Sequence, residues 1–269
     1  LISSSLPNAY QVASGDAHPI MFFNFIPVVG YQGTVLPALF VGMIGAKLEQ
    51  RLRKVIPDAL DLLLTPFLVF LIMSTLGLFV IGPIFHSLEN YILIGTEWIL
   101  KLPFGIAGII IGGLQQLIVV TGVHHIFNFL EIQLLAKDGF NQFNPLLSAA
   151  VAGQFGAVLA VGVKTKDKKL KALALPSALS AALGITEPAI YGVNLIKGKG
   201  KPFLMGLAGG AAGGFLASVF GLKASGMAVT VIPGILLFLN AQLPLYLVSI
   251  IVGAGVSFAL TYTFVKLEK

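Results

Sequence analysis

Six stretches of about twenty mostly apolar residues constrain this chain more than any other feature. They lie at residues 25–46, 62–85, 98–121, 143–163, 202–220 and 243–265. An α-helix rises about 1.5 Å per residue, so about twenty residues match the hydrocarbon thickness of a bilayer. Little chain is left to build a water-facing surface. Of the 269 residues, 57% are hydrophobic and 10% charged, whereas a soluble domain carries roughly 25% charged residues. The expected fold class is an all-α integral membrane protein, a polytopic helix bundle. The 31 glycines suit it, because small residues let helices approach closely in lipid and permit broken spans.

Charge placement predicts sidedness. Lys47, Arg51, Arg53 and Lys54 form one basic cluster, and Lys164, Lys166, Lys168, Lys169 and Lys171 a second. Lys197, Lys199 and Lys201 form a third, Lys266 and Lys269 a fourth. Residues 86–97 have no Lys or Arg. The positive-inside rule places the four clusters in the cytoplasm and 86–97 outside, as a loop. The net charge of +6 therefore reads as a topology signal, and no nucleic-acid partner is expected. With Lys171 and Lys197 both inside, residues 172–195 cross an even number of times. About 24 residues cannot cross twice as helices, so a re-entrant hairpin is expected there. Residues 122–135 have to supply a similar partial crossing, and 227–239 should not cross. Leu48, Leu52, Ile56, Leu60 and Leu63 recur near helical spacing beside basic residues. That pattern predicts a helix lying in the cytoplasmic interface. A plain extension of the preceding span is the other reading, and Pro57 permits both.

The chain has no cysteine, which excludes disulfides and thiolate chemistry within it. Histidines at metal-ligand spacing are lacking, so neither a metal nor a cofactor is expected. The sequence opens at Leu1 with the polar stretch LISSSLPNAYQVASGDAH and no signal peptide. It reads as a fragment whose N-terminal part is missing.

Two motifs carry the candidate chemistry. Glu187 lies in GITEPAIYGVNL, mid-way along the expected hairpin. A carboxylate at membrane depth is costly and is paired, functional or both. Pro188 biases Glu187 away from helical geometry, and Gly184 and Gly192 loosen the backbone on either side. Unwound segments bearing one acidic group are how transporters build polar sites. The alternative is a structural carboxylate capping a broken helix. His124 and His125 follow a long apolar span in VTGVHHIFNFLEIQLL. Neighbouring side chains on an α-helix diverge, so one histidine should face a site and the other support it. The alternative is a pair of interfacial histidines at a helix end. Asn128 and Glu131 extend the polar face by one and two turns. Asp58 and Asp61 read as solvated interfacial charges, and His18 and His86 as loop residues.

GITEPAIYGVNL resembles the signature of the membrane-spanning enzyme IIC component of the sugar phosphotransferase system, glucose and glucoside branch. VTGVHH, AVAGQFGAVLAV and KTKDKKLKALALPSALSAALGITEP resemble it in the same order. GYQGTVLPALF and KLEQRLRKVIPD are similar too. The polar turn after VHH, with ALPSALSA, is most similar to the sucrose subgroup. The trehalose, β-glucoside and N-acetylmuramic acid subgroups lie close. The resemblance implies a homodimer of the bacterial cytoplasmic (inner) membrane that takes up a sugar and delivers it phosphorylated. The whole chain, 1–269, then corresponds to a IIC domain lacking its first helices. Residues 1–61 would end a scaffold part with its interfacial helix, and 62–269 would form the sugar transport part. The family's glutamate falls on Glu187 and its histidine on His124, as catalytic and sugar-binding residues, with Thr186 and His125 joining the sugar site by adjacency. The family's phosphoryl donor is a cysteine of a IIB domain, itself served by IIA. This chain has no cysteine, so the donor has to be another domain or subunit. An ion- or proton-coupled sugar transporter, or a channel or sensor, would fit the motifs without the resemblance.

Overall fold

The computed structural model describes residues 18, 20–22, 26–28, 36–227 and 229–267. It divides into two compact units, Leu1–Ile94 and Gly95–Lys269.

In the first unit, strands β1 (Ile20–Phe22) and β2 (Ile26–Val28) pair antiparallel, with Ile20 opposite Val28. Helix α1 (Leu36–Leu52) and helix α2 (Asp58–Leu76) follow. A π-helical turn at Gly77–Ile81 joins α2 to α3 (Gly82–Leu100). The Leu36 amide donates to the carboxylate of buried Glu89 at 2.7 Å, tying α1 to α3.

Three expectations for this part need correction. The span expected at 25–46 is not one helix, because Ile26–Val28 pair as a strand and the described helix is Leu36–Leu52; residues 23–25 and 29–35 lie outside the described residues. The segment 86–97 is helical and belongs to α3, so His86 is not a loop residue. No proline stands between Pro83 and Pro103 to stop that helix. The break falls instead at residues 101–105, where Phe104 and Gly105 have φ of 59° and 77°, so the next helix starts late. The residues 48–63 do not form one interfacial helix. They divide between α1 and α2 across a turn at 53–57. Pro57 disfavours helical geometry in the residue before it, and the Arg53 guanidinium clasps Glu49 at 2.8 Å and also Asp61. Thr65 donates to the other Asp61 oxygen at 2.6 Å, so Asp61 is bonded as well as solvated.

The second unit carries α4 (Ile106–Thr121), bent by 117° from the segment that ends in α5 (Phe127–Asp138). Helix α6 (Asn144–Lys164) is buried along most of its length. A hairpin follows, made of α7 (Lys168–Ala182) and a returning arm, α8 (Glu187–Ala189), prolonged as a π-helix through Ile190–Asn194. After it come α9 (Lys201–Val219), the short α10 (Val231–Gly234) and α11 (Leu243–Phe264). The feet of the hairpin meet, since Asp167, Lys197 and Lys199 line one pocket. That is the geometry of a re-entrant element. The spans expected at 143–163, 202–220 and 243–265 agree with α6, α9 and α11 to within a residue.

Among the described residues, four helical runs, Asp58–Leu100, Asn144–Lys164, Lys197–Val219 and Leu243–Phe264, are long and apolar enough to cross a membrane, and the bent pair makes a fifth candidate. The chain is an all-α membrane protein, to which the β1–β2 ribbon is a small addition.

In this second unit α4, α6, α9 and α11 pack through glycines. A Cβ on Gly108 would lie 1.8 Å from the Gly214 carbonyl oxygen, and one on Gly112 would lie 2.3 Å from that of Gly210. Backbone-to-backbone contact of this kind replaces the hydrophobic drive that lipid does not supply. Gly108→Ala in the complete protein is expected to lower the thermal unfolding midpoint in detergent, by about 1–3 kcal/mol of overpacking. Gly255→Ala, where nothing lies within 4 Å, is the control and should leave the midpoint unchanged or raised.

Candidate functional site

The sequence GITEP folds as a helix stop followed by a helix start. Gly184, at φ +96°, ends α7. Its amide donates to the Ala181 carbonyl, and the Ile185 amide reaches back to the Ser180 carbonyl, each at 3.0 Å. These two bonds form the Schellman arrangement that glycine favours at a helix end. Pro188 then sits in the first turn of the returning arm, where its missing N–H costs nothing. Thr186 and Glu187 are thereby held at the hairpin tip.

Side chains from the returning arm fix the tip to the bundle. Asn194, fully buried, donates to the Gln154 carbonyl at 3.2 Å and to its side-chain oxygen at 2.9 Å. Gln154 passes the link to the Phe203 carbonyl at 3.2 Å. The Tyr191 hydroxyl donates to the Val120 carbonyl at 3.1 Å, near the end of α4.

The histidines sit at the bend of the other broken helix. Gly122, at φ +77°, ends α4, and Val123–Ile126 form a tight 3-10 turn. The rings of His124 and His125 lie 4.1 Å apart, tilted by 35°. Both border the same cavity, whereas one was expected to face it. Adjacent side chains diverge in a 3-10 turn as they do in an α-helix, yet here the two rings lie close and both residues reach the cavity.

That cavity measures about 310 Å³ and is bordered by His124, His125, Thr186 and Glu187 together, near the lower end of small-ligand sites. Asn128 and Glu131 also border it. Glu131 is buried and accepts from the side-chain amides of Asn141 and Asn144. The carboxamide oxygen of Asn141 in turn accepts the Phe143 and Asn144 amides, each at 3.0 Å, at the start of α6. Glu131 therefore helps to order that wall. Gln115, Gln116 and Thr230 complete the polar lining, and sequence reasoning passed over all three. The paired glutamines inside an apolar span were a usable signal, but a threonine in AVTVIPG was not. The Gln116 side-chain oxygen and His124 Nδ1 are buried with no hydrogen-bond partner among the described residues. Buried polar atoms are usually satisfied, so both suit a ligand that brings hydroxyl groups. A second cavity of similar size, by Phe104, Gln142 and Lys223, gathers none of the expected residues.

Broken helices around a polar cavity, within a bundle of apolar helices, are the way membrane proteins build polar sites. The chain belongs to the phosphotransferase system EIIC family, whose model, described as "Phosphotransferase system, EIIC", matches residues 1–210. It is 41% identical over 264 residues to the PTS system sucrose-specific EIIBC component of Salmonella typhimurium, covering 97% of this chain and 57% of that protein. It is 40% identical over 234 residues to the sucrose-specific EIIBC component of Bacillus subtilis, covering 87% and 50%. The trehalose-specific EIIBC component of Bacillus subtilis is 33% identical over 274 residues, covering 100% and 58%. The chain thus spans about half the length of these curated relatives. No solved structure matches it.

Asn194→Ala is expected to loosen the hairpin without removing any cavity-lining group. It leaves the Gln154 side-chain oxygen unpaired in a buried place, at a cost of about 1–3 kcal/mol. Hydrogen exchange at residues 183–187 should then quicken roughly 5- to 150-fold if the tip opens locally. Unchanged exchange would mean that the tip is anchored elsewhere.

Proposed function

We propose that this chain is the sugar-translocating membrane part of a phosphoenolpyruvate-dependent permease, with sucrose as its sugar. The convergence of His124, His125, Thr186 and Glu187 on one cavity is the observation that carries this reading. Sucrose is favoured because relatives named sucrose-specific reach 41% identity and a relative named trehalose-specific 33%. The protein acts in the bacterial cytoplasmic membrane as a homodimer, with residues 1–61 ending its scaffold part and 62–269 forming its transport part. The four basic clusters face the cytoplasm.

In this reading Glu187 orients a sugar hydroxyl and accepts its proton as the oxygen attacks phosphorus. The S–P bond of a phosphocysteine breaks, an O–P bond forms, and the thiolate leaves. That cysteine belongs to a IIB domain, recharged through IIA. The relatives' name EIIBC places B and C together, which favours a donor on the same polypeptide. His124 hydrogen-bonds the sugar and forms part of the pocket wall, while His125 and Thr186 complete the sugar contacts. Phosphoryl transfer otherwise needs positioning and charge stabilisation more than covalent help.

The test uses the complete permease in membranes, with its donor proteins and radiolabelled sucrose, trehalose and a β-glucoside. Glu187→Gln keeps size and hydrogen bonding but cannot take a proton. Sucrose phosphorylation should fall about 100-fold or more in kcat, with KM little changed. His124→Ala should impair both constants. Wild-type rates in Glu187→Gln would remove Glu187 from the mechanism, and phosphorylation of trehalose alone would overturn the choice of sugar.

A further inference from the structure

The cavity has a third wall beside the two broken helices. Residues 220–242 lead from α9 to α11, and the described residues among them hold no helix long enough to cross a membrane. Thr230 on this segment borders the cavity and is only 7% exposed. It presses on the hairpin tip, since a Cβ on Gly184 would come within 2.9 Å of the Thr230 hydroxyl oxygen. The next residue, Val231, has φ +52°. A β-branched residue there is strained, and such strain persists only where the surroundings over-determine it.

The surroundings here do so. The hydroxyl of fully buried Tyr246 donates to the Val231 carbonyl at 2.8 Å, and its ring stacks on Phe238 with centroids 4.1 Å apart. Asn144 donates to the Val229 carbonyl, and the Gly234 amide to the Thr230 carbonyl, each at 3.3 Å. The backbone on both sides of Thr230 is pinned, and its side chain is presented to the cavity at the cost of strain one residue further on.

We propose that Thr230 is a specificity-determining residue of the sugar site. Its hydroxyl, both donor and acceptor, bonds a sugar hydroxyl from the third wall. The bond selects among disaccharides that present different hydroxyls to that wall. This rests on the reading of the cavity as a sugar site. A site built to bond a particular hydroxyl rejects analogues that lack it, because its own polar group is then left unpaired.

The experiment is equilibrium binding of sucrose, trehalose and a β-glucoside to the purified complete permease. Thr230→Val is nearly isosteric and removes only the hydroxyl. It should weaken binding of the preferred sugar about tenfold, the loss of one hydrogen bond, and narrow its advantage over the other two. Thr230→Ser keeps the hydroxyl and should stay within about threefold of wild type, while Thr230→Ala should resemble Thr230→Val. The Ser and Ala pair reads the same contrast should the Val variant fold poorly. His124→Ala reports on the site independently. Unchanged affinity in Thr230→Val and Thr230→Ala, with binding lost in His124→Ala, overturns the role of Thr230 and leaves the sugar site standing. No binding of any sugar by the wild-type protein overturns both.

Discussion

Contact between glycine backbones holds the second unit together. Where Gly108 meets Gly214 and Gly112 meets Gly210, no side chain separates α4 from α9. The same economy recurs where α6 meets α9, at Gly153 against Gly206, and where α9 meets α11, at Gly209 against Gly253. Helices in lipid gain little from apolar burial, so dispersion over a close backbone approach has to hold them. The site depends on this packing. Helix α4 brings Gln115 and Gln116 to the cavity and ends at the histidine turn, and α6 carries the Gln154 that holds the hairpin.

The second constraint is satisfaction of polar groups away from water. Asn194 through Gln154, and Glu131 through Asn141 and Asn144, are amide and carboxylate links that join broken segments to whole helices. Each would be costly alone and is acceptable paired. The links hold irregular backbone where only surrounding protein or a wet cavity can tolerate it. Six buried side-chain atoms have no hydrogen-bond partner among the described residues, and two of them, the Gln116 oxygen and His124 Nδ1, belong to residues that border the cavity. A ligand bearing hydroxyl groups could satisfy these two.

Much of this was legible because lipid restricts what an apolar run can become. Helices α6, α9 and α11 are bounded by charges or by turn residues, so composition located them. The broken segments were legible by counting, since basic residues on both flanks left too few residues for two crossings. The errors run in both directions, a helix taken for a loop and apolar runs taken for unbroken helices. The lack of Lys and Arg between two expected spans made 86–97 read as a loop, yet no proline interrupts that helix and Glu89 bonds the Leu36 amide. The apolar repeat from Leu48 to Leu63 hid the break that Pro57 imposes. At the site, a carboxylate and two imidazoles in apolar surroundings drew attention through their chemistry. Thr230 did not, because its position depends on a strained backbone at Val231 and on a bond from Tyr246, neither of which residue type reveals.

A structure of the complete protein with sucrose bound tests the central claim most directly. The account predicts the sugar in the cavity between the histidine turn and the hairpin tip, with its hydroxyls about 3 Å from both His124 and Glu187. A sugar held instead in the cavity by Phe104 and Lys223, with His124 and Glu187 touching none of its atoms, would contradict it.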